Sequence, residues 1–203
     1  MNQPPIIVAM TGASGACYGL RLLECLVKAG RRIYFMISQP AQWVVHTETD
    51  WQLPVKAPAM QLWLSERLHA ADDQIHVFGN EQWSAPIASG SHLARSMVVC
   101  PCTAGSLSSI AQGSSRNLME RAADVMLKEQ RQLILVLRET PLSVIHLQHM
   151  LSLARLGVVI MPASPGFYQG ATELNDIVDF MVARILDHLH VEHDLQPRWG
   201  MSL

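Results

Sequence analysis

Short apolar runs alternating with longer stretches of helical periodicity constrain this chain more than any other feature. Residues 6–10, 33–37, 97–100, 133–137 and 158–161 are mostly Ile, Val, Leu and Met at consecutive positions, as strands covered on both faces are. Between them, 17–28 carries Leu20, Leu23 and Val27 on one helical face, and 117–128, 142–156 and 174–190 read as helices in the same way. Strand and helix in alternation dictate parallel pairing through crossovers. The expected fold class is α/β: a single-domain, Rossmann-like (flavodoxin-like) open parallel sheet of five strands with helices on both faces. Residues 43–90 are the least regular stretch, with one helix expected near 58–68. No domain boundary, repeat or low-complexity tract interrupts the sequence, so 1–203 is read as one domain with a C-terminal tail over 193–203.

Composition removes several classes of function. Fifteen Lys and Arg against 17 Asp and Glu leave a formal charge of -2, too little positive charge for a general nucleic-acid binder. The longest apolar pieces, 133–137 and 156–161, fall far short of the roughly 20 residues of a bilayer span. No basic stretch precedes the first apolar run, so it is not read as a signal peptide, and a soluble cytoplasmic protein is expected. Of the four cysteines, Cys17, Cys25, Cys100 and Cys102, the last two form Cys-Pro-Cys rather than Cys-x-x-Cys. Buried thiols are expected there, without disulfide or zinc.

In an open parallel sheet, ligands bind beyond the carboxyl ends of the strands. The first such loop, Thr11-Gly12-Ala13-Ser14-Gly15-Ala16, is small, hydroxyl-bearing and leads into a helix, which suits backbone binding of a phosphate or equally a tight turn. It is not the dinucleotide fingerprint, because position 14 is Ser. No Tyr-x-x-x-Lys occurs, and no acidic residue follows the second run to take a ribose. A mononucleotide fits these absences better than NAD. The loop Thr103-Ala104-Gly105-Ser106 repeats the hydroxyl-rich pattern after Pro101-Cys102. Arg121 and Lys128 lie seven residues apart on one helix face, either as an anion-binding pair or as a solvated basic face. Arg138-Glu139 sets a bidentate anion donor beside a carboxylate at a strand end, and Tyr168 and Arg184 follow the last run.

Together these strings resemble the flavin prenyltransferase family of the UbiX type. The resemblance rests on Met10-Thr11-Gly12-Ala13-Ser14-Gly15, Thr47-Glu48-Thr49-Asp50, Ala88-Ser89-Gly90-Ser91, Pro101-Cys102, Arg121-Ala122-Ala123-Asp124-Val125, Leu127-Lys128-Glu129, Leu137-Arg138-Glu139-Thr140-Pro141, Pro165-Gly166-Phe167-Tyr168 and Arg198-Trp199. Each string is ordinary alone; their ordered co-occurrence along nearly the whole chain is specific. One departure is Thr103, where many relatives have Ser; the hydroxyl is kept.

The resemblance implies transfer of a dimethylallyl group from dimethylallyl monophosphate to N5 and C6 of reduced FMN, giving prenylated FMN for a separate UbiD-type decarboxylase. It implies an FMN site of Gly12, Ala13, Ser14, Ser38, Thr103, Ala104, Gly105, Ser106 and Arg138. It implies a prenyl-phosphate site of Ser89, Gly90, Arg121, Lys128, Arg138, Glu139, Tyr168 and Arg184. Catalytic roles fall to Ser14 and Glu48, as a relay and base for the C6 proton, and to Glu139, handling protons at the phosphate or N5. It further implies a homo-oligomer, a dodecamer in which neighbouring subunits complete each site. The cationic set suits departure of a monophosphate without a metal, and nothing resembles an Asp-rich magnesium motif. Trp83 or Trp199 is a candidate apolar wall for the allylic cation.

Plainer readings stand beside these. Glu48 suits a surface carboxylate at a helix end, and Ser38 a helix cap. His146 and His149 lack the spacing of a zinc-protease helix, and His188, His190 and His193 suit a polar helix end better than an adventitious metal site. An FMN-dependent cysteine decarboxylase of the same superfamily and a non-catalytic flavin carrier are the alternative functions.

Overall fold

All five apolar runs are built into strands in the computed structural model, which describes residues 3–168, 170–197 and 200. The strands are β1 (Ile6–Met10), β2 (Ile33–Ile37), β3 (Ile75–Val77), β4 (Ser96–Cys102), β5 (Gln132–Leu137) and β6 (Val159–Pro162). The helices are α1 (Ala16–Lys28), α2 (Gln39–Glu48), α3 (Ala57–Arg67), α4 (Ala104–Ala111), α5 (Leu118–Lys128), α6 (Val144–Arg155) and α7 (Leu174–His188). The sheet is parallel throughout, in the order β3-β2-β1-β4-β5-β6. Five strands were expected and six are present. The sixth, β3, is an edge strand of only 3 residues inside the irregular stretch, too short to carry a pattern.

Alternate residues of each strand feed opposite layers, which is why the runs are apolar at every position. Val8, Met10, Phe35, Val98 and Val136 pack under α1, α2, α3 and α7. Ala9, Met36, Val99, Leu135 and Leu137 pack under α4, α5 and α6. Cys100 and Cys102 fall one on each side, both fully buried, and burial pushes the Cys102 thiol up to about 12. The expected loop at Pro101-Cys102 is therefore the end of β4, whose register shifts between Val99 and Cys102. The expected helices 142–156 and 174–190 are each shorter. Ser143 caps α6 through the His146 N–H, and α7 ends at His188, before His190 turns to φ 53.

Helix α1 lies hard against the sheet at Gly19. A Cβ there would strike the Met10 side chain and the Cys100 carbonyl oxygen, and the carbonyl cannot withdraw without moving β4. Gly19→Ala should therefore lower stability by about 1–3 kcal/mol, overriding the roughly 1 kcal/mol that Ala ordinarily gains over Gly in a helix. Urea unfolding of the two proteins measures the difference; a variant at least as stable as wild type would contradict the close approach.

Candidate functional site

The chain leaves neighbouring strands β1 and β4 toward opposite faces, α1 to one and α4 to the other, so a crevice opens between their loops. Thr11, only 3% exposed, ties the two loops together. Its N–H and its hydroxyl both donate to the Pro101 carbonyl, at 3.1 and 2.9 Å, while Oγ1 accepts from the Thr103 N–H at 2.8 Å. Gly12 is pressed against Pro40 at the start of α2, where a Cβ would collide with the proline ring. Gly15 turns into α1 at φ 100, a conformation open to glycine.

The two helix N-termini facing this crevice are not equivalent. That of α1 is filled by Glu48 from the end of α2: one carboxylate oxygen accepts from the N–H of Gly15 at 2.8 Å and of Ala16 at 3.0 Å. Burial alone would raise the Glu48 pKa. The Ser14 hydroxyl, the Ala16 and Gly15 N–H groups and the charge of Arg138 outweigh it and hold the carboxyl below its ordinary range. The turn expected to offer its N–H groups to a phosphate has thus given two of them to a side chain.

The N-terminus of α4 is different. Thr103 caps it by accepting from the Ser106 N–H at 3.0 Å, its own hydroxyl donating to Ser106 Oγ at 2.9 Å, and no acidic residue lies in the first turn. The N–H groups of Ala104 and Gly105 belong to that turn and have no intrahelical acceptor. Beside it, the Arg138 N–H donates to the Cys102 carbonyl at 3.1 Å, and the buried Arg138 Nε has no hydrogen-bond partner among the described residues. An orphaned guanidinium nitrogen at the same sheet edge as a helix N-terminus that is capped only by a threonine hydroxyl fits a phosphate group such as that of FMN. Ser38, at the end of β2, caps α2 through the Ala41 N–H at 3.2 Å.

Of the residues expected at the prenyl phosphate, Arg138 and Glu139 follow β5 at this edge, and the others are held by other partners. Arg121 donates from Nε to the Ala88 carbonyl at 2.9 Å and pairs with Asp124 at 2.8 Å. Lys128 pairs with Glu129, and both reach the space a Cβ on Gly90 would fill. Ser89 bonds to Ser91 Oγ at 3.0 Å. Helix α5 runs antiparallel to the strands: Leu118 contacts Asn80, which bonds the carbonyl of Ile37 at the carboxyl end of β2. With 11 residues it carries Lys128 about 16 Å toward the opposite edge.

Arg184 is on the other face of the sheet, on α7, paired with Asp187 at 2.7 Å. Tyr168 stands edge-on to Phe180 with ring centroids 5.8 Å apart. Glu139, half-buried, follows Arg138 and accepts from the Thr140 N–H at 3.1 Å. One chain therefore brings Ser14, Glu48, Thr103 and Arg138 to one crevice but does not bring Arg121, Lys128 and Arg184 onto it. Trp83 is exposed on the segment before β4, and Arg198 and Trp199 lie outside the described residues. Thr11 was not among the expected site residues; its signal was a hydroxyl directly after a buried strand.

The Flavoprotein family model matches residues 1–186. The flavin prenyltransferase UbiX of Pseudomonas aeruginosa is 57% identical over 195 residues, 96% of this chain and 93% of that protein. Among solved structures, AnUbiX (PadA1) in complex with FMN and dimethylallyl pyrophosphate matches with a TM-score of 0.87 and 38% identity, over 98% of each chain. A dodecameric FMN-dependent UbiX-like decarboxylase from Escherichia coli O157:H7 matches with a TM-score of 0.85 and 38% identity, over 97% of this chain and 99% of that one.

The Glu48 cap has a pH signature. A carboxyl whose folded pKa is depressed adds stability above its unfolded pKa and loses it as pH falls through the folded value. Glu48→Ala should cost about 1 kcal/mol or less at pH 7, because the group is exposed and solvent screens it. The gap should narrow between pH 7 and about pH 3, as pH falls through the ordinary glutamate range toward the depressed folded value. Urea unfolding at both pH values checks this; an equal gap at each would remove the charge from the account.

Proposed function

The chain belongs to the flavoprotein family and within it to the flavin prenyltransferases, and we propose that it transfers a dimethylallyl group from dimethylallyl monophosphate to N5 and C6 of reduced FMN. The products are prenylated FMN and inorganic phosphate. The observation that carries this reading to the site is the buried Arg138 Nε, without a partner among the described residues, at the sheet edge where α4 begins with only the Thr103 hydroxyl as its cap.

Arg138, with the N–H groups of Ala104 and Gly105, would hold the FMN phosphate, while Gly12, Ala13, Ser14 and Ser38 would line the ring-side of the crevice. Reduced FMN supplies the nucleophilic N5 and C6. Glu48 is ionised at neutral pH, its pKa being depressed, and the Ser14 hydroxyl bonds to it, so a proton arriving at Ser14 has a carboxylate to receive it. A carboxylate below its usual pKa is a weak base, which suits a relay more than a proton store. Glu139 is proposed to handle the second proton, at the phosphate or N5. Arg121, Lys128, Tyr168 and Arg184 would stabilise the leaving phosphate, each lost donor costing on the order of 100-fold in rate.

Arg121 and Lys128 lie on the α5 face of the sheet and Arg184 on the other, each paired with a neighbouring carboxylate, so the reading has neighbouring copies complete the donor site. The dodecameric Escherichia coli relative supports such an assembly. So does α6, which exposes Val144, Ile145, Leu147 and Leu151, an apolar surface suited to a subunit contact. A UbiD-type decarboxylase would take the product, in the cytoplasm; no helix among the described residues is long and apolar enough to cross a membrane.

The direct test incubates the protein with reduced FMN and dimethylallyl monophosphate, and in a parallel arm the diphosphate, and takes a mass spectrum of the flavin. A mass raised by one prenyl group in the monophosphate arm is expected. An unchanged mass beside an active control enzyme would favour the cysteine decarboxylase or flavin-carrier alternatives. Arg138→Ala should weaken FMN binding by about 10–100-fold, the loss of a charged hydrogen bond; flavin fluorescence titration measures it, and wild-type affinity would displace Arg138 from the phosphate.

A further inference from the structure

We infer that Arg131 is a positioning residue for the donor-phosphate loop, holding Ser89 and Gly90 against Lys128 without touching the substrate. The inference rests on the reading that Ser89, Gly90 and Lys128 receive the prenyl phosphate. Within itself the loop is weakly tied. Ser89 N–H reaches the Pro86 carbonyl at 3.2 Å, the His92 N–H reaches the Ser89 carbonyl at 3.4 Å, and the Ser89 hydroxyl bonds Ser91. All of these are local, and none ties the loop to the body of the domain.

Arg121 ties the start of the loop through the Ala88 carbonyl, and Arg131 ties the turn that follows. Arg131 follows α5 by three residues, and its N–H donates back to the Met126 carbonyl at 2.8 Å, so its backbone is anchored to the helix that carries Lys128. From there its guanidinium enters the concave side of the loop. Nη2 donates to the Gly90 carbonyl at 2.6 Å and Nη1 to the Ala94 carbonyl at 3.1 Å, clasping both ends of the 90–94 turn. Two carbonyls held by one planar cation fix the distance between them, which a Lys ammonium cannot do. The Gly90 carbonyl is thereby set, with the open Cβ side of the same residue facing the Glu129 and Lys128 side chains.

His92 completes the arrangement and is 7% exposed. Its Nδ1 accepts from the Ala94 N–H at 3.0 Å, so the neutral ring carries its hydrogen on Nε2, which faces Arg131 Nη1 at 3.2 Å. Two donors confront each other there, so the ring wedges the turn without anchoring Arg131. Burial, then the charges of Arg131 and Arg95, push the His92 pKa down to about 4 against the opposing pull of Glu129, so no third cation forms beside Lys128 and Arg131. The two carbonyls are left as the anchor of the guanidinium.

The test uses the full chain with saturating reduced FMN and compares Arg131→Ala, Arg131→Lys and Ser89→Ala. Arg131→Ala should raise the KM for dimethylallyl monophosphate by on the order of tenfold with FMN affinity unchanged. Arg131→Lys should recover part of this, and millimolar guanidinium added to the Ala variant should lower its KM again. A donor KM equal to wild type in Arg131→Ala, with Ser89→Ala raised, overturns the positioning role and leaves the donor site standing. Wild-type KM in both overturns the donor reading of the loop, and the inference with it. A parallel loss of FMN affinity in Arg131→Lys, or a KM that guanidinium leaves unmoved, reduces Arg131 to a structural residue; should the Ala variant fail to fold, the Lys variant's donor KM decides alone, an unchanged value refuting the role.

Discussion

One threonine hydroxyl sets the geometry on which the proposed site depends. Thr11 is the first residue after β1, buried, and it spends its hydrogen on the Pro101 carbonyl and a lone pair on the Thr103 N–H. Without that hydroxyl the Thr103 N–H would be left unsatisfied near the bottom of a crevice, at about 1–3 kcal/mol, and the Pro101 carbonyl would keep only the Thr11 N–H. Thr103, its N–H held by Thr11, is itself the cap of α4, so the first N–H groups of α4 follow directly on this junction, and Arg138 joins it through its N–H to the Cys102 carbonyl. The position of the anion-binding corner is thus a consequence of how two neighbouring strands end.

Charge is then distributed by which groups already have partners. Of the N-termini of α1 and α4, the first is neutralised by Glu48, while the second has only the Thr103 hydroxyl as its cap and no acidic residue in its first turn. Elsewhere the cations assigned to the prenyl phosphate each rest on a neighbouring carboxylate: Arg121 on Asp124, Lys128 on Glu129 and Arg184 on Asp187. These pairs hold long side chains extended and keep a nearly neutral surface until a more highly charged partner arrives. Exposed pairs of this kind contribute little stability, about 0–1 kcal/mol, so a phosphate can outbid them.

Most of the fold was legible because burial on both faces makes a strand apolar at every position, as in 6–10 or 133–137. The edge strand β3 was not, since Ile75-His76-Val77 is too brief to establish a period. Nor was the true end of β4, where Pro101 reads as a break although its carbonyl is held by Thr11. The loops bearing Ser14, Thr103 and Arg138 were found because a parallel sheet gathers its loops at one edge. Glu48 is different: its contact with α1 spans more than thirty residues of sequence, and only the family resemblance singled it out. The seven-residue spacing of Arg121 and Lys128 correctly put them on one helix, but spacing carries no information about which sheet edge a helix end reaches. Arg131 looked like any surface cation because its partners are backbone carbonyls, which no side-chain pattern reveals.

The central claim is that the flavin corner of one copy works with the α5 cations of another. Mixing an Arg138→Ala protein with a Lys128→Ala protein, dissociated and reassembled together, tests it most directly, with prenylated flavin as the readout. Each variant alone should be nearly inactive, and an equal mixture should recover about a quarter of wild-type activity, the statistical share of sites built from two intact halves. A mixture no more active than its components would mean that both halves belong to the same chain, and would contradict the account.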